Sequence, residues 1–179
     1  HILHIPKAPP HVLGLINLRR HSLPLVSLGR LFELSSEQVL DEHRRIVVTA
    51  FEQDGERLRV GLVADAVREV LRVPREWVEE VPALLRRDQR MAEISGICRL
   101  EDGRRLVSVL SVEKMFAHEG VRDALKASAE MTEEGTMHDE SAENETLEEE
   151  QFVIFRMLDD EYGVPIQAVK EIVRVPEQL

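Results

Sequence analysis

The chain reads as a mainly β protein built from small barrels or sandwiches, and three observations carry that reading. One stretch occurs twice: Gly61-Leu-Val-Ala-Asp-Ala-Val-Arg-Glu-Val-Leu-Arg-Val-Pro74 and Gly163-Val-Pro-Ile-Gln-Ala-Val-Lys-Glu-Ile-Val-Arg-Val-Pro176 share seven identities at matching offsets. Each copy is a strand, a short bend at Ala-Val-Arg/Lys-Glu and a second strand closed by proline, which has no amide hydrogen to continue a ladder. A repeated supersecondary unit has to be recognised before the rest of the fold can be read. Second, short β-branched runs recur with Asp-Gly turn signals between them. Third, the period changes to a helical one only after Ser111, the earlier helical stretches being single short turns.

The elements follow in order. His11-Val-Leu-Gly-Leu-Ile-Asn-Leu18 is a buried strand, and Ser22-Leu-Pro-Leu-Val-Ser-Leu28 returns beside it after the tight basic connection Arg19-Arg20-His21. Gly29-Arg-Leu-Phe-Glu-Leu-Ser35 is a short amphipathic turn of helix, followed by a polar loop through Glu42. Arg45-Ile-Val-Val-Thr-Ala-Phe51 and Arg57-Leu-Arg-Val-Gly-Leu-Val-Ala64 form a hairpin across Glu52-Gln-Asp-Gly-Glu56, where Asp-Gly supplies the residue that tolerates positive φ. Residues 67–73 continue that sheet, residues 74–80 make a short helix with its proline early, and residues 82–91 form a loop. Ile94-Ser-Gly-Ile-Cys-Arg-Leu100 and the run from Arg104 to Leu110 pair across Glu101-Asp-Gly103. Val112, Met115, Phe116, Val121, Leu125 and Ala129 then share one helical stripe, which predicts a C-terminal helix. New strand-forming sequence begins at Phe152 and, with residues 168–175, predicts one more hairpin. A lone hairpin is not stable in water, so these last residues must pack on something else.

The formal net charge of −11 is local in origin. Residues 130–150 hold ten carboxylates and no Lys or Arg, and outside them 24 acidic residues face 23 basic ones. That acidic run buries too little apolar surface to fold by itself and reads as a disordered linker. The remainder presents no basic face to attract phosphates, so nucleic acid is not an expected partner. No apolar run is long enough to insert in a membrane. Cys98 is the only cysteine, which excludes an internal disulfide and fits a reducing compartment, the cytoplasm. His1-Ile-Leu-His-Ile-Pro6 already reads as structured sequence, so the chain is expected to begin in mid-domain.

Chemistry-bearing patterns are absent. The seven histidines, His1, His4, His11, His21, His43, His118 and His138, fall on different elements and none makes a short His/Cys pair with zinc-ligand spacing. Ser22, Ser27, Ser108 and Ser111 lie near strands, but none stands in a Gly-x-Ser-x-Gly elbow. The nine glycines are scattered singly, so no phosphate-cradling loop is present. No cofactor, no metal and no catalytic residue is expected. Trp77 is expected to anchor its short helix on the barrel, Asp65 to satisfy backbone groups where two strands meet, and Gly14 to permit close backbone approach.

At Val12-Leu-Gly-Leu-Ile-Asn-Leu-Arg19, with Leu23-Pro-Leu-Val26 after it, the chain resembles the CheW-like domain of bacterial chemotaxis coupling proteins. Val60-Gly-Leu-Val-Ala-Asp-Ala-Val67 is similar to the family's central valine-glycine strand, residues 94–103 to its late hairpin and Val112-Glu-Lys-Met-Phe116 to the start of its closing helix. The chain departs from the family at Arg20, where glycine is usual, and at Ser27, where aspartate closes a Pro-x-x-Asp pattern. The resemblance implies two small five-stranded SH3-like barrels packed together, with short helices and a C-terminal helix before an acidic linker. It also implies a permuted order. Residues 1–127 would be a CheW-like domain lacking its first hairpin, 128–150 the linker, and 151–179 the first hairpin of a following CheW-like domain, completing the first barrel in cis or by swapping.

What the resemblance implies for function is a non-enzymatic adaptor. Its partners would be the cytoplasmic tip of a chemoreceptor, the regulatory domain of a CheA-type kinase and other CheW-like domains. The partner-binding residues it assigns are Gly14, Asn17 and Arg19 along one sheet edge, and Val169 and Glu171 near the groove between subdomains. Taken by themselves, Asn17 and Arg19 have turn chemistry as their plainer reading, and Val169 and Glu171 an ordinary core and a solvated carboxylate. A regulatory CheW-like region of a larger kinase or CheV-like protein is the nearest alternative. A β-barrel hydrolase is a distant one and would require a polar pocket with perturbed titrating groups.

Overall fold

A computed structural model describes residues 2–34, 43–88, 91–117, 122–123 and 148–176. Among these residues the strands are β1 (Val12–Leu18), β2 (His21–Ser27), β3 (Arg45–Gln53), β4 (Glu56–Ala64), β5 (Ala66–Pro74), β6 (Val78–Glu79), β7 (Ile94–Leu100), β8 (Arg105–Leu110), β9 (Glu149–Met157), β10 (Asp160–Pro165) and β11 (Val169–Arg174). Two one-turn helices, α1 (Leu28–Leu31) and α2 (Val112–Met115), follow β2 and β8. The strands curl into two sheets of order β1-β2-β4-β3-β11 and β5-β9-β10-β8-β7-β6. The expected pair of packed SH3-like barrels is what the chain forms, with the two-residue β6 added at the edge of the second.

Turn chemistry sets the hairpins. Asp54 and Gly55 both take positive φ (53° and 79°), the left-handed geometry that matches strand twist in a two-residue connection. Arg19 and Arg20 adopt the same geometry without a glycine (φ 50° and 72°), and the Asn17 Oδ1 accepts from the Arg20 backbone N–H at 3.1 Å. The two halves also share their helix caps: the Ser27 hydroxyl accepts from the Arg30 N–H at the start of α1, and the Ser111 hydroxyl from the Lys114 N–H at the start of α2.

Three apolar clusters follow from the period-2 alternation of strands. Ile16, Leu23, Leu25, Ile46, Val48 and Val63 fill the first barrel, while Val73, Cys98, Leu100, Val107, Phe152 and Ile154 are among those filling the second. The third and largest lies between the sheets and holds Val47 and Phe51 from β3, Val153 and Phe155 from β9, and Phe116 behind α2. Strands β3 and β9 therefore bury both faces, which is why Ile46-Val-Val48 and Phe152-Val-Ile-Phe155 are unbroken apolar runs. Fully burying one such side chain contributes roughly 1.5–3 kcal/mol.

The repeated stretch occupies equivalent places. Hairpin β3–β4 lies in the first sheet and its continuation β5 crosses to the second, where it pairs with β9. Hairpin β9–β10 lies in the second sheet and its continuation β11 crosses to the first, where it pairs with β3. Each crossing strand carries a bulge at the same point of the repeat, between Val67 and Glu69 and between Val169 and Glu171. Each central glycine stands in a parallel pair, Gly61 with Leu25 and Gly163 with Val109.

Several expectations are corrected. Residues 67–73 do not continue the sheet of β4, because the backbone turns at Asp65 into the other barrel. The helix expected over 74–80 is only a 3-10 turn, Arg75–Trp77, after which Val78 and Glu79 pair with Cys98 and Ile97 as β6. Trp77 is 46% exposed and is no buried anchor. The last hairpin joins β9 to β10 across Leu158 and Asp159, so residues 169–174 are a separate strand. Glu149 and Glu150, read as part of the acidic run, stand in β9 opposite Pro74 and Val73, with their carboxylates near Arg72 and Arg75 at 3.7 and 3.4 Å. The helix after Ser111 is described only as α2; Val121, Leu125 and Ala129 lie outside the described residues, as do residues 35–42 and 130–147.

Candidate functional site

Strand β11 brings two candidate surfaces together. It is the edge of the first sheet beyond β3, and β1 is the opposite edge. Curling carries the β1–β2 turn to β11, where the Arg19 Nη2 lies 3.0 Å from the Glu171 Oε2. The arginine side chain is 78% exposed and the carboxylate 25%. Because Oε2 is otherwise shut off from protein donors and makes no aligned hydrogen bond, the contact is one of charge rather than a directed bond. Asn17 belongs to the same turn and fixes its backbone through Arg20.

Two residues before Glu171, Val169 pairs with Thr49 and packs at the margin of the inter-barrel cluster. Beside it a groove of about 340 Å³ opens along the seam between the barrels. Phe51 of β3 forms one wall, Leu110 and Val112 another, and Pro165 and Ala168 the approach to β11. The lining mixes these apolar groups with polar ones from Ser95, Ser111, Glu113 and Gln167. A concave strip of mixed apolar and polar lining can take the face of an amphipathic helix.

Of the five predicted residues, Arg19 and Glu171 meet directly, Asn17 supports their turn, and Val169 packs against the inter-barrel cluster next to Ala168, which lines the groove. Gly14 is not part of this constellation. It sits at the other end of β1 with φ 137°, and a Cβ there would lie 2.4 Å from the Leu3 carbonyl oxygen. Leu3 exchanges two backbone hydrogen bonds with Leu15, both 2.8 Å, so Gly14 makes room for the leading segment to lie against β1. Asp65 has the backbone role expected of it: its Oδ2 accepts from the Leu158 N–H at 2.8 Å.

Sequence reading missed a second charged cluster. The Arg105 guanidinium donates to both oxygens of Glu161, at 2.6 and 3.0 Å, and to Glu69 at 2.6 Å. Hydrogen bonding to Glu161 first and Glu69 second pushes its pKa further up, so it stays cationic. The signal was available in the repeat, because Glu69 is the counterpart of Glu171. Among the described residues no three His, Cys, Asp or Glu side chains converge as a metal site, and no helix is long and apolar enough to cross a membrane.

The sequence and the fold each have relatives. The chain is 32% identical over 112 residues to the chemotaxis protein CheW of Helicobacter pylori, covering 63% of this chain and 62% of that protein. It is 25% identical over 125 residues to the chemotaxis protein CheW of Bacillus subtilis, covering 70% and 75%. The crystal structure of the scaffolding protein TtCheW from Thermoanaerobacter tengcongensis superposes with a TM-score of 0.54 at 27% identity, over 67% of this chain and 76% of that one. The CheW-like domain family matches residues 1–120, ending before β9, although β9 and β10 fill the centre of the second sheet. With two thirds of its length matched and both barrels in place, the chain belongs to the CheW-like domain family.

Proposed function

We propose that the chain is a non-enzymatic chemotaxis adaptor of the cytoplasm. It docks the helical-hairpin tip of a chemoreceptor in the groove between its barrels, and it binds the regulatory domain of a CheA-type kinase, or another CheW-like domain, along the edge that Arg19 and Glu171 close. The observation that carries this reading is that the two surfaces adjoin along a few residues of chain: Ala168, just before β11, lines the groove, and Glu171 of β11, three residues on, pairs with Arg19. The relatives named chemotaxis protein and scaffolding protein support the assignment. The mechanism is linkage. A receptor whose two signalling states contact the groove with different energy shifts the kinase equilibrium by that difference and no more, and the adaptor transforms nothing chemically.

The test is binding of the whole chain to a chemoreceptor cytoplasmic fragment and to a CheA-type regulatory domain, measured by calorimetry for the native chain and for Glu171→Lys. Because Glu171 is partly buried beside Arg19, reversing its charge is expected to lower stability by about 1–3 kcal/mol with the chain still folded, while weakening the kinase-domain contact by roughly a hundredfold, a like-charge juxtaposition at an interface costing several kcal/mol. Unchanged affinity for both partners in a folded Glu171→Lys chain would overturn the assignment of this edge.

A further inference from the structure

The segment Glu149–Arg174 is held by contacts that are indifferent to its covalent connection. β9 and β10 occupy the slot between β5 and β8, with β9 antiparallel to β5 from Ala66 to Pro74 and β10 parallel to β8 from Val107 to Val109. β11 covers the outer edge of β3 from Arg45 to Thr49. Phe152, Val153, Ile154, Phe155 and Val164 are all within 2% of complete burial. Polar links run across the same boundary: Arg105 to Glu161, Arg19 to Glu171, and the Asp65 N–H to the Arg156 carbonyl at 3.1 Å. Nothing in this set involves residues 118–147.

Without the segment, the body would present bare edges on β5, β8 and β3 beside apolar surface, a template for another strand. The occupant that fits every pair of that register is a segment of this same sequence. We propose that the slot between β5 and β8, with the β3 edge, is an acceptor for Glu149–Arg174 of a second copy of this chain, so that the segment passes reciprocally between neighbouring units. The seam that closes one copy in cis then closes two copies in trans, with the same contacts on both sides.

Two quantities bound the exchange. Residues 118–148 span at most about 100 Å even fully extended, ample for reaching an adjacent copy. Since contacts are identical in both arrangements, cis closure is favoured only by effective concentration, on the order of millimolar for a connection of this kind. Reciprocal closure therefore becomes appreciable when copies are held together at comparable local concentration. The match to the family ends before this segment begins. The inference does not depend on what the adaptor binds.

The test uses two full-length variants, Arg72→Cys and Gln151→Cys, at positions that are register partners across β5 and β9. They are unfolded together, refolded at about millimolar concentration, diluted and treated with a short bis-maleimide; Cys98 is buried and withdrawn from the reaction. A mixture of Arg72→Cys with Glu56→Cys, which are not partners, is the control. The expected result is cross-linked dimer at least tenfold above the control, together with a sedimentation mass that rises from one chain toward two as concentration approaches millimolar. A matched mixture no richer in dimer than the control, with the mass of one chain at every concentration, overturns the proposal.

Discussion

Glu69 and Glu171 occupy the same place in the two halves of the molecule: each stands just past the bulge of a crossing strand, and each is gripped by an arginine from the turn end of a hairpin, Arg105 for the first and Arg19 for the second. The two grips differ in burial. Arg105 is 26% exposed and serves two carboxylates, whereas Arg19 is mostly in solvent and serves one.

That difference predicts unequal costs. Arg105→Ala leaves Glu161, 16% exposed, without its cation and is expected to lower stability by about 2 kcal/mol, a fall of about 4–8 °C in melting temperature for a domain of this size. Arg19→Ala is expected to cost under about 1 kcal/mol. Thermal unfolding of the two variants beside the native chain checks the ordering.

Phe155→Ala tests whether the last strands belong to the core. Phe155 is fully buried between the barrels and stacks on Tyr162, whose ring in turn lies parallel to Phe32 at 5.3 Å. Truncation is expected to cost about 3–5 kcal/mol. Because the side chain faces the seam, urea unfolding followed by circular dichroism and by Trp77 fluorescence should shift together.

Gly14→Ala is expected to lower stability by about 3 kcal/mol, combining an unfavourable φ with a clash against the Leu3 backbone. Faster amide exchange at Leu3 and Leu15, with the rest of β1 and β2 retained, would show that the cost falls on the leading segment. Partner affinity is expected to stay within twofold of native in the folded variant.

Alkaline pH is expected to weaken the fold in two steps. Burial first, and the nearby Glu150 carboxylate second, raise the Cys98 thiol pKa; burial, then Asp160, raise that of Tyr162. A group held protonated in the folded state contributes stability that is whole below its unfolded pKa and is lost as pH climbs through the folded one. Loss should therefore begin above about pH 8.5, where an unfolded thiol ionises, and deepen above about 10 for the phenol. Melting temperature against pH for the native chain and Cys98→Ala checks the first step, which the variant should lack.

Much of this architecture was legible in the residues. Asp54-Gly55 announced a hairpin through local conformation alone, and the repeat announced two equivalent units, since each signal is carried by one contiguous run of residues. The crossing of β5 and β11 between sheets was not legible, because Val67 to Val73 and Val169 to Val175 look alike whichever neighbour they pair with. Strand propensity records a pleated, half-buried environment and not the identity of the partner. Helix length at Trp77 was overread for the same reason: Val78 and Glu79 find a ladder on β7 that no local pattern reveals. At the site, Asn17 and Arg19 were visible as a turn, and Glu171 as a repeated carboxylate. Their meeting required curling of the sheet, and Arg105 required its long-range partner Glu161.

The reciprocal crossing of β5 and β11 makes the two barrels a knotwork in the mechanical sense, although no thread passes through a loop. Pulling one barrel from the other would have to peel β5 off β9 and β11 off β3 at once, against two ladders that share the load in parallel with the core. A load transmitted through an assembly by such a unit would be borne as rigid-body motion, and yielding would come at contacts with its neighbours before it came between the barrels.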